Sequence, residues 1–151
     1  MLARQRKNSI VFLLVFFLHV AISMHSLCDE SYAIKGELKT WYPLTIDFTG
    51  PKSSETANNP NPFLDYRLQV EFTGPSGRHY NVPGFFAGDG QGGGSGDVWR
   101  VRFSPDAAGE WSFQASFRQG KRIAVSLQPN EGKCTAFDGC KGHFTVAGRD
   151  K

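Results

Sequence analysis

The feature that most constrains this chain is strict alternation of apolar and polar residues. Leu44, Ile46 and Phe48 alternate with Thr45, Asp47 and Thr49, and Leu68, Val70 and Phe72 alternate with Arg67, Gln69 and Glu71. Trp99, Val101 and Phe103 do so with Arg100, Arg102 and Ser104, and Trp111, Phe113, Ala115 and Phe117 with Ser112, Gln114, Ser116 and Arg118. A period of two places successive side chains on opposite faces of a strand, so each segment has one buried and one wet face. Shorter candidate strands are Glu37 to Trp41, Arg78 to Val82, Ile123 to Leu127 and Gly142 to Ala147. Glycine, proline and asparagine clusters separate them, and "GPSG" at 74–77 reads as a hairpin turn. Seven or eight short antiparallel strands with regular turns predict an all-β fold, an immunoglobulin-like β-sandwich, with a small closed barrel as the alternative. The inward-facing residues include Trp99 and Trp111, and the same reading places Trp41 in the core.

The N-terminus has a different character. Arg4, Arg6 and Lys7 precede a mostly apolar run from Ile10 to Ile22, the layout of a helical secretory signal peptide. The run is shorter than the roughly 20 residues a bilayer span requires, which argues against a stable membrane anchor. Ser31-Tyr32-Ala33 offers small residues where a signal peptidase reads, with Ser26-Leu27-Cys28 a weaker alternative. The expected organisation is a signal peptide at 1–33 and a sandwich module at 34–151, secreted or periplasmic. Of 17 basic and 14 acidic residues, removal of the leader takes three and two, leaving 14 and 12. So balanced a charge provides no electrostatic footprint for nucleic acid. One domain of this size is also far short of the ~250 residues of a barrel enzyme.

Cys134 and Cys140 flank "TAFDG", and in an oxidising compartment they are expected to form a disulfide; two free thiols are the alternative. Catalytic motifs are missing: there is no H-E-x-x-H, no nucleophile elbow and no Walker lysine. His79 and His143 are isolated among polar residues. Asp65, Asp89, Asp97 and Glu110 could supply a glycosidase's carboxylate pair from strand ends, yet their abundance makes chance pairing the simpler reading, and no catalytic residue is assigned. Candidate ligand-binding residues are instead aromatic. Phe85 and Phe86 are adjacent, so in an extended segment one of them faces outward, and Tyr42 beside Trp41 poses the same question.

"GDGQGGGSGD", residues 88–97, satisfies G-x-G-x-x-G. A dinucleotide cradle must open a helix, and here only the strand-like "VWRVRF" follows, so the motif lacks its context. No cofactor is expected; a single Ca2+ held by Asp89, Asp97 and backbone carbonyls is the minority alternative. Six glycines in ten residues carry a large ordering entropy, and the segment is expected to be a flexible connection between strands.

The runs "LTIDFTGP", "NPFLDYRLQVEFTGPSGRHYNVPGFFAGDG", "DVWRVRFSPDAAGEWSFQASFRQG" and "TAFDGCKGHFTVA" together resemble an uncharacterised immunoglobulin-like domain. That domain stands N-terminal to apiosidase-like or putative collagen-binding glycoside hydrolase barrels in secreted bacterial proteins. The likeness covers residues 37 to 147, and its most specific pieces are "VPGFFAGDG" and "WRVRFSPDAAGEW". It implies a non-catalytic module, solitary or truncated, whose partner is a glycoside hydrolase catalytic domain or a polysaccharide. The family's catalytic carboxylates belong to the barrel, so none is carried over to this chain. The alternative is a free-standing carbohydrate-binding module using Tyr42, Phe85 or Phe86. The cysteine pair is not implied by the resemblance.

Overall fold

Alternation becomes pleated sheet wherever the four long segments predict it. The computed structural model describes residues 31–149, and the expected signal segment up to residue 30 lies outside the described residues. Strands β1 (Tyr32–Gly36), β2 (Leu44–Ser54), β6 (Ser95–Phe103) and β5 (Phe85–Phe86) form one antiparallel sheet in that order. The second sheet runs β4 (His79–Pro83), β3 (Tyr66–Thr73) and β7 (Gly109–Gln119), with β8 (Lys133–Cys134) and β9 (Lys141–Val146) both paired to β7. The only helical element described is a single 3-10 turn, Ile123–Val125. No helix among the described residues is long and apolar enough to cross a membrane.

The two sheets pack face to face through the alternating residues. Leu44, Ile46, Phe48, Trp99 and Val101 from one sheet meet Leu68, Val70, Phe72, Trp111, Phe113, Ala115 and Phe117 from the other, and all are buried. Phe103 is partly buried and stacks on Phe72 at 4.2 Å. Each large side chain removed from water contributes roughly 1.5 to 3 kcal/mol, so this interface alone is a sufficient core. The "GPSG" turn closes the β3–β4 hairpin, with the Gly74 and Arg78 backbones bonded at 2.9 Å and Gly77 at φ 77°. At that φ a residue without Cβ is favoured.

Three expectations fail, each for a tertiary reason. Residues 37–41 contribute one bridge, Lys39 to Ala147, and Trp41 then turns out with φ 69° and is 61% exposed. The first strand is instead Tyr32–Gly36, too short and too mixed to show alternation. Residues 123–127 are a 3-10 turn and a loop, because Arg67 draws that segment in, donating to the carbonyls of Ser126, Gln128 and Pro129.

The expected Cys134–Cys140 disulfide is also corrected. Cys140 is buried and disulfide-bonded, whereas Cys134 is an exposed free thiol; the remaining cysteine, Cys28, lies outside the described residues. Cys134 sits on the short edge strand β8, facing solvent, while Cys140 turns inward with its sulfur 3.8 Å from the Ser31 hydroxyl. A hydrogen bond with Asp138 pushes the Cys134 thiol above its ordinary pKa.

One charged residue is buried among the described residues. Asp47 is 8% exposed on the outer face of the first sheet, directly across from Arg100. Arg100 grips it with two donors, Nε at 2.5 Å and Nη2 at 2.8 Å, and Lys35 adds a third at 2.8 Å. Three adjacent strands, β1, β2 and β6, are thereby tied through one carboxylate. Burial alone would raise the Asp47 pKa, but the hydrogen bonds from Arg100 and Lys35 outweigh it and hold it below the ordinary value.

Two outcomes are expected. A folded-state pKa below the unfolded value of about 3.9 means the Asp47 contribution is complete above that pH and lost as the pH falls through the folded value. Asp47→Asn should therefore cost about 3 kcal/mol at pH 7 and show a shallower loss of stability on the acid side, read by urea unfolding at pH 7 and pH 3. Identical acid-side losses in both proteins would remove Asp47 from this role. For the cysteines, alkylation of the unreduced folded protein should modify Cys134, faster as pH rises, and leave Cys140 untouched until a reductant is added. Peptide mass mapping reads both, and a modified Cys140 without reductant would contradict the assignment.

Candidate functional site

The chain passes from the second sheet to the first through Gly84, between β4 and β5. A Cβ there would lie 2.4 Å from the Leu68 side chain, so the crossing requires glycine. The crossing sends the two adjacent phenylalanines to opposite faces. Phe86 is 4% exposed and packs on Trp99 at 5.2 Å, while Phe85 is 42% exposed with the Arg102 guanidinium 5.7 Å from its ring centre. Phe86 is thus a core residue, which corrects its place among the ligand-binding candidates. Phe85 and Phe63, the latter 48% exposed, both line a groove of about 180 Å3 over Tyr66, Leu68 and Trp99. Phe63 meets Phe86 edge-on at 6.3 Å.

Beside this groove lies a larger, polar cleft of about 650 Å3 between residues 58–65 and 119–122. Asp65 builds it. One carboxylate oxygen accepts the Asn61 backbone N–H and the other that of Arg122, each at 2.8 Å, stapling two loops that are far apart in sequence. The Arg122 bond, then the Asn61 bond, hold the Asp65 carboxyl below the usual carboxylate range. Asn61 in turn accepts the N–H groups of Phe63 and Leu64 through its side-chain oxygen, and the Gly120 N–H reaches the Asp65 carbonyl at 3.0 Å. The scaffold consumes Asp65 and Asn61, and leaves Asn58, Asn59, Gln119, Lys121 and Arg122 on the lining with no side-chain hydrogen bond to other described residues, Lys121 only adding its charge near Asp65.

Tyr42 occupies a separate place. With Trp41, Pro43 and Arg149 it lines a shallow depression, and the Lys39 ammonium lies 5.8 Å from its ring centre. Tyr42 and Phe85 line different hollows, so the structure does not join them in one platform.

The glycine-rich segment forms a hydrogen-bonded turn between β5 and β6. Asp89 Oδ1 accepts the Gln91 and Gly93 N–H groups at 2.8 and 2.9 Å, and these bonds lower its pKa, the Gln91 bond most. Arg100 donates to the Gly90 carbonyl at 3.0 Å, Glu55 N–H to that of Gly94, and Val98 N–H to that of Gly88. A Cβ on Gly88 would sit 1.8 Å from the Gly93 carbonyl oxygen, so glycine here permits a close backbone approach. The Asp89 carboxylate is directed into its own turn, and Asp97 lies on β6. Among the described residues no three His, Cys, Asp or Glu groups converge as metal ligands.

Three further acids are similarly engaged. Asp106 accepts the Tyr80 hydroxyl at 2.6 Å and pairs with Arg78, Asp138 accepts the Phe117 N–H at 2.7 Å, and Glu110 accepts the Thr145 hydroxyl at 2.5 Å. Phe63 and the cleft residues other than Asp65 escaped the sequence reading. The available signal was the Asn- and Pro-rich "ANNPNP", which reads as a turn until its distant partner "QGKR" is placed beside it.

No curated protein matches this chain. Among solved structures, a putative glycoside hydrolase from Bacteroides vulgatus ATCC 8482 is similar, with 26% sequence identity and a TM-score of 0.51. The likeness covers 78% of this chain and 17% of that one, so the chain spans less than a fifth of its structural relative. A family model matches residues 37–118, more than half of the sequence, from the first bridge through most of β7. The chain belongs to the family DUF5060, a domain of unknown function, and is similar to a portion of a putative glycoside hydrolase.

Proposed function

We propose that this protein is a non-catalytic, immunoglobulin-like β-sandwich module that works beside a glycoside hydrolase catalytic domain, after export through its N-terminal segment. The observation that carries the reading is the coverage: most of this chain corresponds to a small share of a much larger glycoside hydrolase. The chemistry of the described residues supports it. Glycoside hydrolysis needs two carboxylates set across a sugar site, one of them with a raised pKa. Asp47, Asp65 and Asp89 are instead held below the ordinary value by their hydrogen bonds. Carboxylates so held are structural acceptors and poor general acids at neutral pH.

A second reading, carbohydrate binding by the module itself, is favoured by the outward Phe63 and Phe85 and by the polar cleft beside them. An exposed aromatic face and uncommitted amides are the groups that hold a sugar ring. Phe85 keeps its place in this reading; Tyr42 would have to act in a separate contact, with Trp41.

The purified chain is expected to release no reducing ends above buffer from a broad panel of plant and bacterial polysaccharides, while melting cooperatively as a folded protein. Hydrolysis that persists through purification and is abolished by Asp65→Asn or Glu110→Gln would overturn the non-catalytic reading.

A further inference from the structure

We propose that the cleft between residues 58–65 and 119–122 is a binding site for an acidic polysaccharide, one whose sugars carry carboxylates. This rests on the reading that the module serves a polysaccharide-degrading protein, and it names the class of glycan. Its volume of about 650 Å3 falls within the 300–1,000 Å3 span typical of small-ligand sites. The lining is chemically selective. Asn58, Asn59 and Gln119 each present a carbonyl acceptor and an NH2 donor, the pairing that matches hydroxyls, which donate and accept at once. Lys121 and Arg122 add two cations with no ion-pair partner among the described residues, against one acid, Asp65.

That acid offsets one of the two positive charges, Lys121 lying within its electrostatic reach, so the lining keeps a net positive charge. Both Asp65 oxygens are bound to the backbone N–H groups of Asn61 and Arg122, so the carboxylate also acts as a brace. Arg122 is at φ 55°, a left-handed conformation that a non-glycine residue adopts at a cost. The brace fixes this backbone at the lip of the cleft. A guanidinium there presents a planar fork that fits a carboxylate with two parallel bonds, while a neutral sugar leaves both cations without a partner. Polar groups preset by the fold lose little freedom on binding. The exposed Phe63, on the neighbouring rim, is placed to receive the next sugar along the chain.

The test is affinity electrophoresis of the purified chain in gels cast with polygalacturonate, with alginate, with neutral galactan or with dextran sulfate. The expected result is retardation by the uronate polymers, little by neutral galactan, and at least tenfold weaker binding in the double variant Lys121→Gln/Arg122→Gln. The glutamines keep the Arg122 backbone bond to Asp65 in place, and unchanged melting of the variant verifies the fold. Asn58→Ala should weaken uronate binding without changing the net charge, which separates a built site from attraction to any polyanion. Retardation by dextran sulfate equal to that by the uronates and untouched by Asn58→Ala would overturn the proposal. So would retention by neutral galactan alone, unaltered binding in both variants, or no retardation in any gel. An absence of glycan binding leaves the role beside a catalytic domain standing, since that role is judged by hydrolysis and not by retention.

Discussion

A phenylalanine from a turn holds the two sheets together. Phe137, between β8 and β9, lies flat between Phe48 of the first sheet and Phe117 of the second, with ring centres 4.5 and 4.4 Å away. Stacks at this spacing contribute about 0.5 to 1.5 kcal/mol each beyond the area they bury. The neighbouring residue locks the wedge in place: Asp138 accepts the backbone N–H of Phe117 itself, at 2.7 Å. From this point the aromatic packing spreads through Trp99 to Tyr66 and Phe86 on one side, and through Phe113 to Tyr32 and Phe72 on the other. The rim carrying Phe63 and Phe85 is therefore mounted on the centre of the core, through Phe86 and Trp99.

The outer face of the first sheet is organised by charge. Arg100 grips Asp47 and also caps the Gly90 carbonyl, so one guanidinium joins the sheet to the glycine-rich turn. Its burial makes the pairing consequential: a half-exposed pair such as Lys35–Asp47 adds little, whereas a buried acid deprived of its partner is costly. The same economy governs the second carboxylate brace, Asp65, which gathers two loops and leaves neighbouring side chains available. In both places an aspartate is occupied by the architecture.

The four long strands and their buried faces were legible because alternation is local: each residue's face follows from its parity along the strand. The separation of Phe85 from Phe86 was legible for the same reason. The inward turn of Phe137 was not, since an isolated aromatic within "TAFDG" has no period to betray it. Trp41 misled in the opposite sense, as a large apolar residue beside an expected strand that a left-handed backbone angle turns into solvent. The cysteine pair misled because proximity in sequence is no measure of direction. One thiol sits on an edge strand facing water and the other faces inward.

What the sequence by itself determined is the all-β class, the two apolar faces that must meet, the hairpin at 74–77 and the absence of a helix behind the glycine motif. All of these depend on neighbours one to four residues away. The tertiary structure alone decided that Asp65 joins residues 58–65 to 119–122, that Arg100 orders the glycine turn, and which acids are braces. Those facts are contacts between segments separated by ten to fifty-seven positions. No local periodicity records such a contact, because it exists only once the packed sheets have brought the loop ends together.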